Sequence, residues 1–352
     1  MTDSVRQSND WAAVHRAPRK RPVPGILLMF AVAAVAFISM ECWWRHLGHE
    51  PGIADDEALW SHYRAKLERS DNAIAVSGNS RVLGGINLDV LRKRMDGRDV
   101  FQFGVAGAGP VAFLQDLAES DVRPFLLICG IDDIDLSKAN WSQMQSYVDY
   151  YHKNYTLNAS VNRIASLYVQ KGFVSCQMYL NLRATMRSLL YHREFQQPNY
   201  MRINADRSVT YRFDRLPKVD IERSVSNAAQ YLQRQVLRAG ESGRIPAWSN
   251  NLEYVHALTR RIRERGTRIV FVRMPTSGLQ RAAENELYPR PLYWDVFARE
   301  SPADRIVHFE DYPELDAFEC SDTSHLNADD AIVFTGKLLD ILASQPPGAP
   351  VR

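Results

Sequence analysis

The stretch Ala73-Ile74-Ala75-Val76-Ser77-Gly78-Asn79-Ser80-Arg81 decides the reading of this chain. Asp71-Asn72 stand before it as a turn, and Ala73 to Val76 is short and uniformly apolar. A strand covered on both faces reads that way. Gly78 lets the chain turn sharply without a Cβ clash. Ser80 then stands just past a strand end, where open α/β sheets hold their ligands. A serine in that place is exposed on a rigid support, and a nucleophile needs both. Gly-Asn-Ser is also ordinary turn composition, so the stretch by itself leaves both readings open.

A second stretch lies far along the chain, Ser321-Asp322-Thr323-Ser324-His325-Leu326-Asn327. An acid three residues before a histidine, just ahead of a helix, can orient the imidazole. The histidine can then take a proton from a serine that the fold brings close. On this reading Ser80 is the nucleophile, His325 the general base and Asp322 its orienting acid.

These residues carry a resemblance. The chain resembles the SGNH/GDSL hydrolase superfamily. That family has Gly-Asp-Ser after the first strand, a glycine after the second, Gly-x-Asn-Asp after the third and Asp-x-x-His near the end. The matching stretches here are Gly78-Asn79-Ser80, Gly104-Val105-Ala106-Gly107, Gly130-Ile131-Asp132-Asp133 and Asp322-Thr323-Ser324-His325. The resemblance covers residues 71 to 135 and 267 to 343, not the middle. Its envelope members, the alginate O-acetyltransferase-like and lipoteichoic-acid D-alanylation-like proteins, share the membrane anchor and the Asp-Thr-Ser-His-Leu-Asn block. The resemblance implies a flavodoxin-like three-layer fold. It also implies acyl-serine chemistry without cofactor or metal, and an oxyanion hole made by the N–H groups of Ser80 and Gly107.

One position departs from the pattern. The family's amide donor of the third block falls at Asp132. An ionised carboxylate only accepts hydrogen bonds, so it would repel a developing oxyanion. Three readings stay open. A different donor completes the hole, or Asp132 is protonated, or the chemistry is altered. Asp132 and Asp133 also read as plain solvated turn acids. If Asp132 faces the oxyanion, Asp132→Asn preserves or raises turnover.

The chain of 352 residues suffices for one large or two modest domains. Its net charge of +2 gives no basic field to attract nucleic acid. Four cysteines are too few for a disulfide scaffold. Cys129 sits in an apolar run and reads as a buried thiol, while a Cys176–Cys320 bridge stays open for an oxidising compartment. His46 and His49 lack further ligands, and no metal is assigned to them.

Residues 1–24 form a polar tail with Arg16, Arg19, Lys20 and Arg21 ahead of an apolar run over 25–44. The length suits a bilayer crossing, the basic flank favours a cytoplasmic N-terminus, and Trp43-Trp44 suit the far interface. An uncleaved anchor is favoured over a signal peptide, because no small-x-small cleavage site follows. The chain beyond it is expected outside the cytoplasm, with residues 45–70 as a linker carrying a helix.

From Ala73 to Leu342, strand and helix patterns alternate, which predicts an α/β domain over 71–343 with a mainly parallel sheet. An insertion over about 136–250 breaks the alternation. It holds a hairpin around Asn204 to Ser208, a long helix over 219–239 and many tyrosines. Those tyrosines either bind sugar rings with neighbouring arginines or fill the insertion's own core. A helix over 252–265 resumes the pattern. Glu284 and Glu286 read as surface charge, and the Pro-rich tail 344–352 as disordered.

The expected activity is that of a periplasm-facing serine esterase or O-acyltransferase. Its partners would be an acyl donor, an envelope polymer and a membrane-bound acyltransferase. The alternative is a non-catalytic protein of the same fold that serves envelope polysaccharide assembly.

Overall fold

The computed structural model describes residues 23–137, 141–180, 182–191, 195–238 and 244–344. The basic cluster Arg16–Arg21 and the Pro-rich tail from residue 345 lie outside them. The chain divides into two compact units, Met1–Gly48 and His49–Arg352.

The first unit holds α1 (Val23–His46). Its 24 residues span about 36 Å at the rise of an α-helix. From Gly25 onward it is long and apolar enough to cross a membrane. Near its end Glu41 accepts from Arg45 at 2.9 Å, one turn on, so the acid is matched by a base.

The second unit opens with α2 (Glu57–Glu68), capped by Asp56, whose carboxylate accepts from the Leu59 N–H. There follow β1 (Ile74–Ser77), α3 (Ser80–Gly85), α4 (Leu88–Arg94), β2 (Val100–Gln102), α5 (Val111–Glu119) and β3 (Leu126–Gly130). Next come α6 (Trp141–Lys153), α7 (Leu157–Gly172), α8 (Leu182–Tyr191), the strands β4 (Met201–Ile203) and β5 (Val209–Tyr211), α9 (Lys218–Arg238) and α10 (Arg244–Glu264). The last stretch runs through β6 (Arg268–Arg273), α11 (Gly278–Leu287), α12 (Trp294–Glu300), β7 (Arg305–His308), α13 (Pro313–Asp316) and α14 (Ala328–Ser344).

Five strands form one parallel sheet in the order β2-β1-β3-β6-β7. Its strands are apolar throughout because both faces are covered. Alternate residues enter two separate cores. Ala75, Leu127, Cys129, Ile269 and Phe271 point to one, shared with α2, α5, α6, α10 and α12. Ile74, Val76, Ile128, Val270 and Val272 point to the other, shared with α3, α4, α13 and α14. Helices on both faces of a parallel sheet make three layers. The order reverses between β1 and β3, the switch point where such sheets open a crevice at their carboxyl ends.

Several expectations change in detail. The helix at 57–68 does more than link, because Leu59, Trp60 and Leu67 are fully buried and the Trp60 indole donates to the Phe103 carbonyl. Met144 and Val148 of α6 lie in the main core, although the sequence pattern groups them with the insertion. The helix expected from residue 252 begins at Arg244, with Trp248 and Leu252 already buried. Pro246 falls in its first turn, where proline removes no helical hydrogen bond. Cys176 and Cys320 are both free thiols, so no bridge joins them. His49 is held by the Gln196 carbonyl at 3.0 Å and the Tyr179 hydroxyl at 3.3 Å.

Candidate active site

Ser80 follows β1 directly and opens α3. Gly78 has φ +150°, and a Cβ there would stand 2.6 Å from Val82 and 3.0 Å from the Gly130 carbonyl. Only glycine lets these two strand ends approach so closely. Asn79 caps the short helix, its side-chain oxygen accepting from the Arg81 N–H at 3.0 Å. The hydroxyl of Ser80 is thereby fixed at the switch point.

His325 meets it from 245 positions away, with Nε2 2.8 Å from Ser80 Oγ. Its Nδ1 lies 2.7 Å from Asp322 Oδ2. The carboxylate can only accept, so Nδ1 carries the proton and Nε2 is left to accept from the serine. The other oxygen of Asp322 accepts from the backbone N–H groups of Ser324 and His325, at 3.0 and 2.7 Å. Burial works against ionisation of Asp322, but these hydrogen bonds outweigh it and hold its carboxyl below the ordinary value.

The histidine loop is tied to the loop after β6. The Ser277 N–H donates to the Thr323 carbonyl at 3.0 Å, and the Cys320 N–H donates to Ser277 Oγ at 3.0 Å. Thr323 has φ +68°, a conformation that a β-branched residue adopts only when its surroundings impose it. The strained residue stands between the acid and the base.

Ser80, Gly107, Asp132 and Asp133 line one cleft of about 190 Å³. Ala228 and Tyr231 of α9 also face it, so the middle segment supplies part of the wall. Tyr211 of β5 packs against the His325 ring, centroids 4.8 Å apart. It also lies flat over Gly84, where a Cβ would stand 2.2 Å from the tyrosine ring. Gly84→Ala is therefore expected to push Tyr211 off the histidine. A destabilisation of about 1–3 kcal/mol should appear in urea melts, since overpacking forces such shifts.

The structure corrects one sequence reading of Asp132, that of a solvated turn acid. It is buried, and it is neither a solvated turn acid nor an unpaired carboxylate facing the cleft. Oδ2 accepts from Arg81 at 2.8 Å and from the Asn79 amide at 2.8 Å, while Oδ1 accepts from Arg273. Both arginines also donate to Glu284, Arg273 at 2.7 Å. The four side chains thus close a square of two cations and two anions. Gln280 and Thr276 add donors to Glu284, and Arg81 donates through Nε to Ser324 Oγ at 3.1 Å.

Glu284 is consequently not surface charge. Burial would raise its carboxyl, but Arg81 and Arg273 outweigh this and hold it well below the usual range. Glu286, two residues on, is exposed as expected. The sequence did carry one signal for the square. Arg273 ends a buried apolar strand, and a charge there requires a partner.

Two further acids lie beside the square. Burial, reinforced by Asp132 and Glu284 and opposed by Arg273, pushes Asp133 up to about 7. Burial and Asp132 push Asp135 up to about 8. Asp135 accepts from the Asp132 N–H at 2.8 Å and so shapes the loop.

The geometry can polarise a serine hydroxyl, and the cleft beside it can admit a small group. The chain matches no family model and no curated protein.

Proposed function

We propose that this chain is an SGNH-type serine esterase or O-acyltransferase that modifies a cell-envelope polymer. The observation that carries the proposal is the line Asp322–His325–Ser80, with both hydrogen bonds made, at the rim of a cleft. The strand order with Ser80 at the switch point supports the finer SGNH-like assignment of the fold. A trade between two loops supports it too. The family pattern has an acid beside the serine and an amide after the third strand. Here Asn79 and Asp132 hold the reverse pair and bond to each other at 2.8 Å.

In the proposed reaction Ser80 Oγ attacks an acyl carbonyl carbon. Its proton passes to His325 Nε2, and the carbonyl electron pair moves onto oxygen. The N–H groups of Ser80 and Gly107 receive that oxyanion. Collapse expels the alcohol oxygen, which takes the proton back from His325, leaving acyl-Ser80. Water or an acceptor hydroxyl then repeats the sequence in reverse. Asp322 stays ionised throughout and keeps Nδ1 protonated. Hydrolysis and transfer differ only in that acceptor.

A fluorophosphonate probe tests the proposal. Labelling of Ser80, lost in Ser80→Ala, is expected. Asp132 favours a second reading, in which the chain binds an envelope polymer or a membrane-bound acyltransferase without turnover. Folded protein that resists the probe would establish that reading instead.

In this proposal α1 is an uncleaved anchor with the second unit outside the cytoplasm. A C-terminal alkaline phosphatase fusion should then be active. Activity only from a cytoplasmic reporter at that end would overturn the location and the polymer substrate together.

A further inference from the structure

The square leaves the cleft without net charge, because Arg81 and Arg273 are matched by Asp132 and Glu284. Asp133 stands outside that balance. It is only 7% exposed, it lines the cleft with Ser80, and its Oδ1 is buried without a hydrogen-bond partner among the described residues. A carboxyl oxygen buried without a donor favours the form of the group that keeps its proton. Among the described residues, the charged groups around Asp133 are Arg273 at the end of β6, Asp132 on its own loop, Glu284 on α11 and Arg81 on α3. Both cations are already engaged with Asp132 and Glu284. The phenols of Tyr231 and Tyr288 share the cleft, and the described side chains of α9 add no charge to it.

We infer that Asp133 touches the substrate as a neutral carboxyl, donating its O–H to an oxygen of the acyl ester bound at Ser80. This rests on the acyl-serine reading. It adds a donor one residue after the position at which the family pattern has its amide. It also selects the ligand. A cleft whose charges cancel, and whose remaining acid is protonated, suits an uncharged acyl group such as acetyl over a succinyl or aminoacyl group.

The donor exists only while Asp133 holds its proton. Burial places that loss near pH 7. Above it the carboxylate becomes acceptor-only and repels the ester oxygens. Asp135 titrates nearby but is not in the cleft wall, and Asp133→Asn separates the two, since the amide donates at every pH.

The test uses detergent-solubilised full-length protein with 4-nitrophenyl acetate and its succinyl counterpart, read as kcat/KM from pH 5 to 9. The wild type should fall along an alkaline limb centred near pH 7 and prefer acetyl. Asp133→Asn should lose that limb, its kcat/KM no longer falling as the pH rises through 7. Asp133→Ala should lose about tenfold at pH 6, the weight of one hydrogen bond. Failure of Asp133→Ala to fold leaves the asparagine profile decisive. An alkaline limb that persists in Asp133→Asn, or a succinyl preference, overturns the inference while the probe still labels Ser80. A protein that neither reacts with the probe nor turns over ester overturns the hydrolase reading, and the inference with it.

Discussion

Ser80→Ala is expected to reduce ester turnover on the order of 10⁴-fold or more, because among the described residues no other hydroxyl is positioned on His325 Nε2. The hydroxyl is only partly buried and bonds to the imidazole, so its removal should leave stability nearly unchanged. Asp322→Ala should cost less, because the serine and the oxyanion donors remain. It frees the His325 ring to turn, and with it the backbone N–H groups of Ser324 and His325 lose their acceptor. Turnover in Ser80→Ala within tenfold of the wild type would remove the serine from the chemistry.

Asp132→Asn is expected to destabilise the protein by about 3–5 kcal/mol, the range for breaking a buried ion pair from one side. The substitution keeps the shape but withdraws a charge that faces both Arg81 and Arg273. An amide in its place would also turn donors toward guanidinium groups. This reverses the expectation from sequence, in which the amide at 132 restores a missing donor. The double variant Asp132→Asn with Arg273→Gln removes one charge of each sign and should recover part of the loss. Urea melts of the solubilised protein measure both. A change under ~0.5 kcal/mol in Asp132→Asn would mean that water already solvates the square.

The parallel sheet was readable from the sequence because its signals are local. Ile269 to Val272 is an unbroken apolar run, and Gly78 and Gly266 mark its neighbouring turns. The stretches bearing Ser80, Asp322 and His325 were also readable, since each stands at a strand or helix end. That they meet follows from strand order, and strand order is not written in any short window. Beyond the charge of Arg273 at the end of β6, the square was illegible for a related reason. Arg81 finds its two acids 51 and 203 positions away. Glu284 looked like surface charge because Asn285 and Glu286 beside it are polar, whereas its own face of α11 turns inward with Gln280. Tyr211 reads in sequence as one more apolar residue of the hairpin, between Val209 and Phe213. Only the fold brings its ring over His325.

The square also bears on the order in which the chain folds. Three of its four ion pairs join residues 51 or more positions apart, Arg273–Glu284 spanning only 11, and the Arg273–Asp132 contact alone closes a loop of 141 positions. Such contacts form after the sheet has assembled, because closing long loops costs entropy before any bond rewards it. Interactions absent from a folding transition state leave the folding rate alone and slow escape from the native state. The charges beneath Ser80 therefore act as a latch on a finished domain. Weakening them should shorten the lifetime of the folded protein far more than it delays its formation.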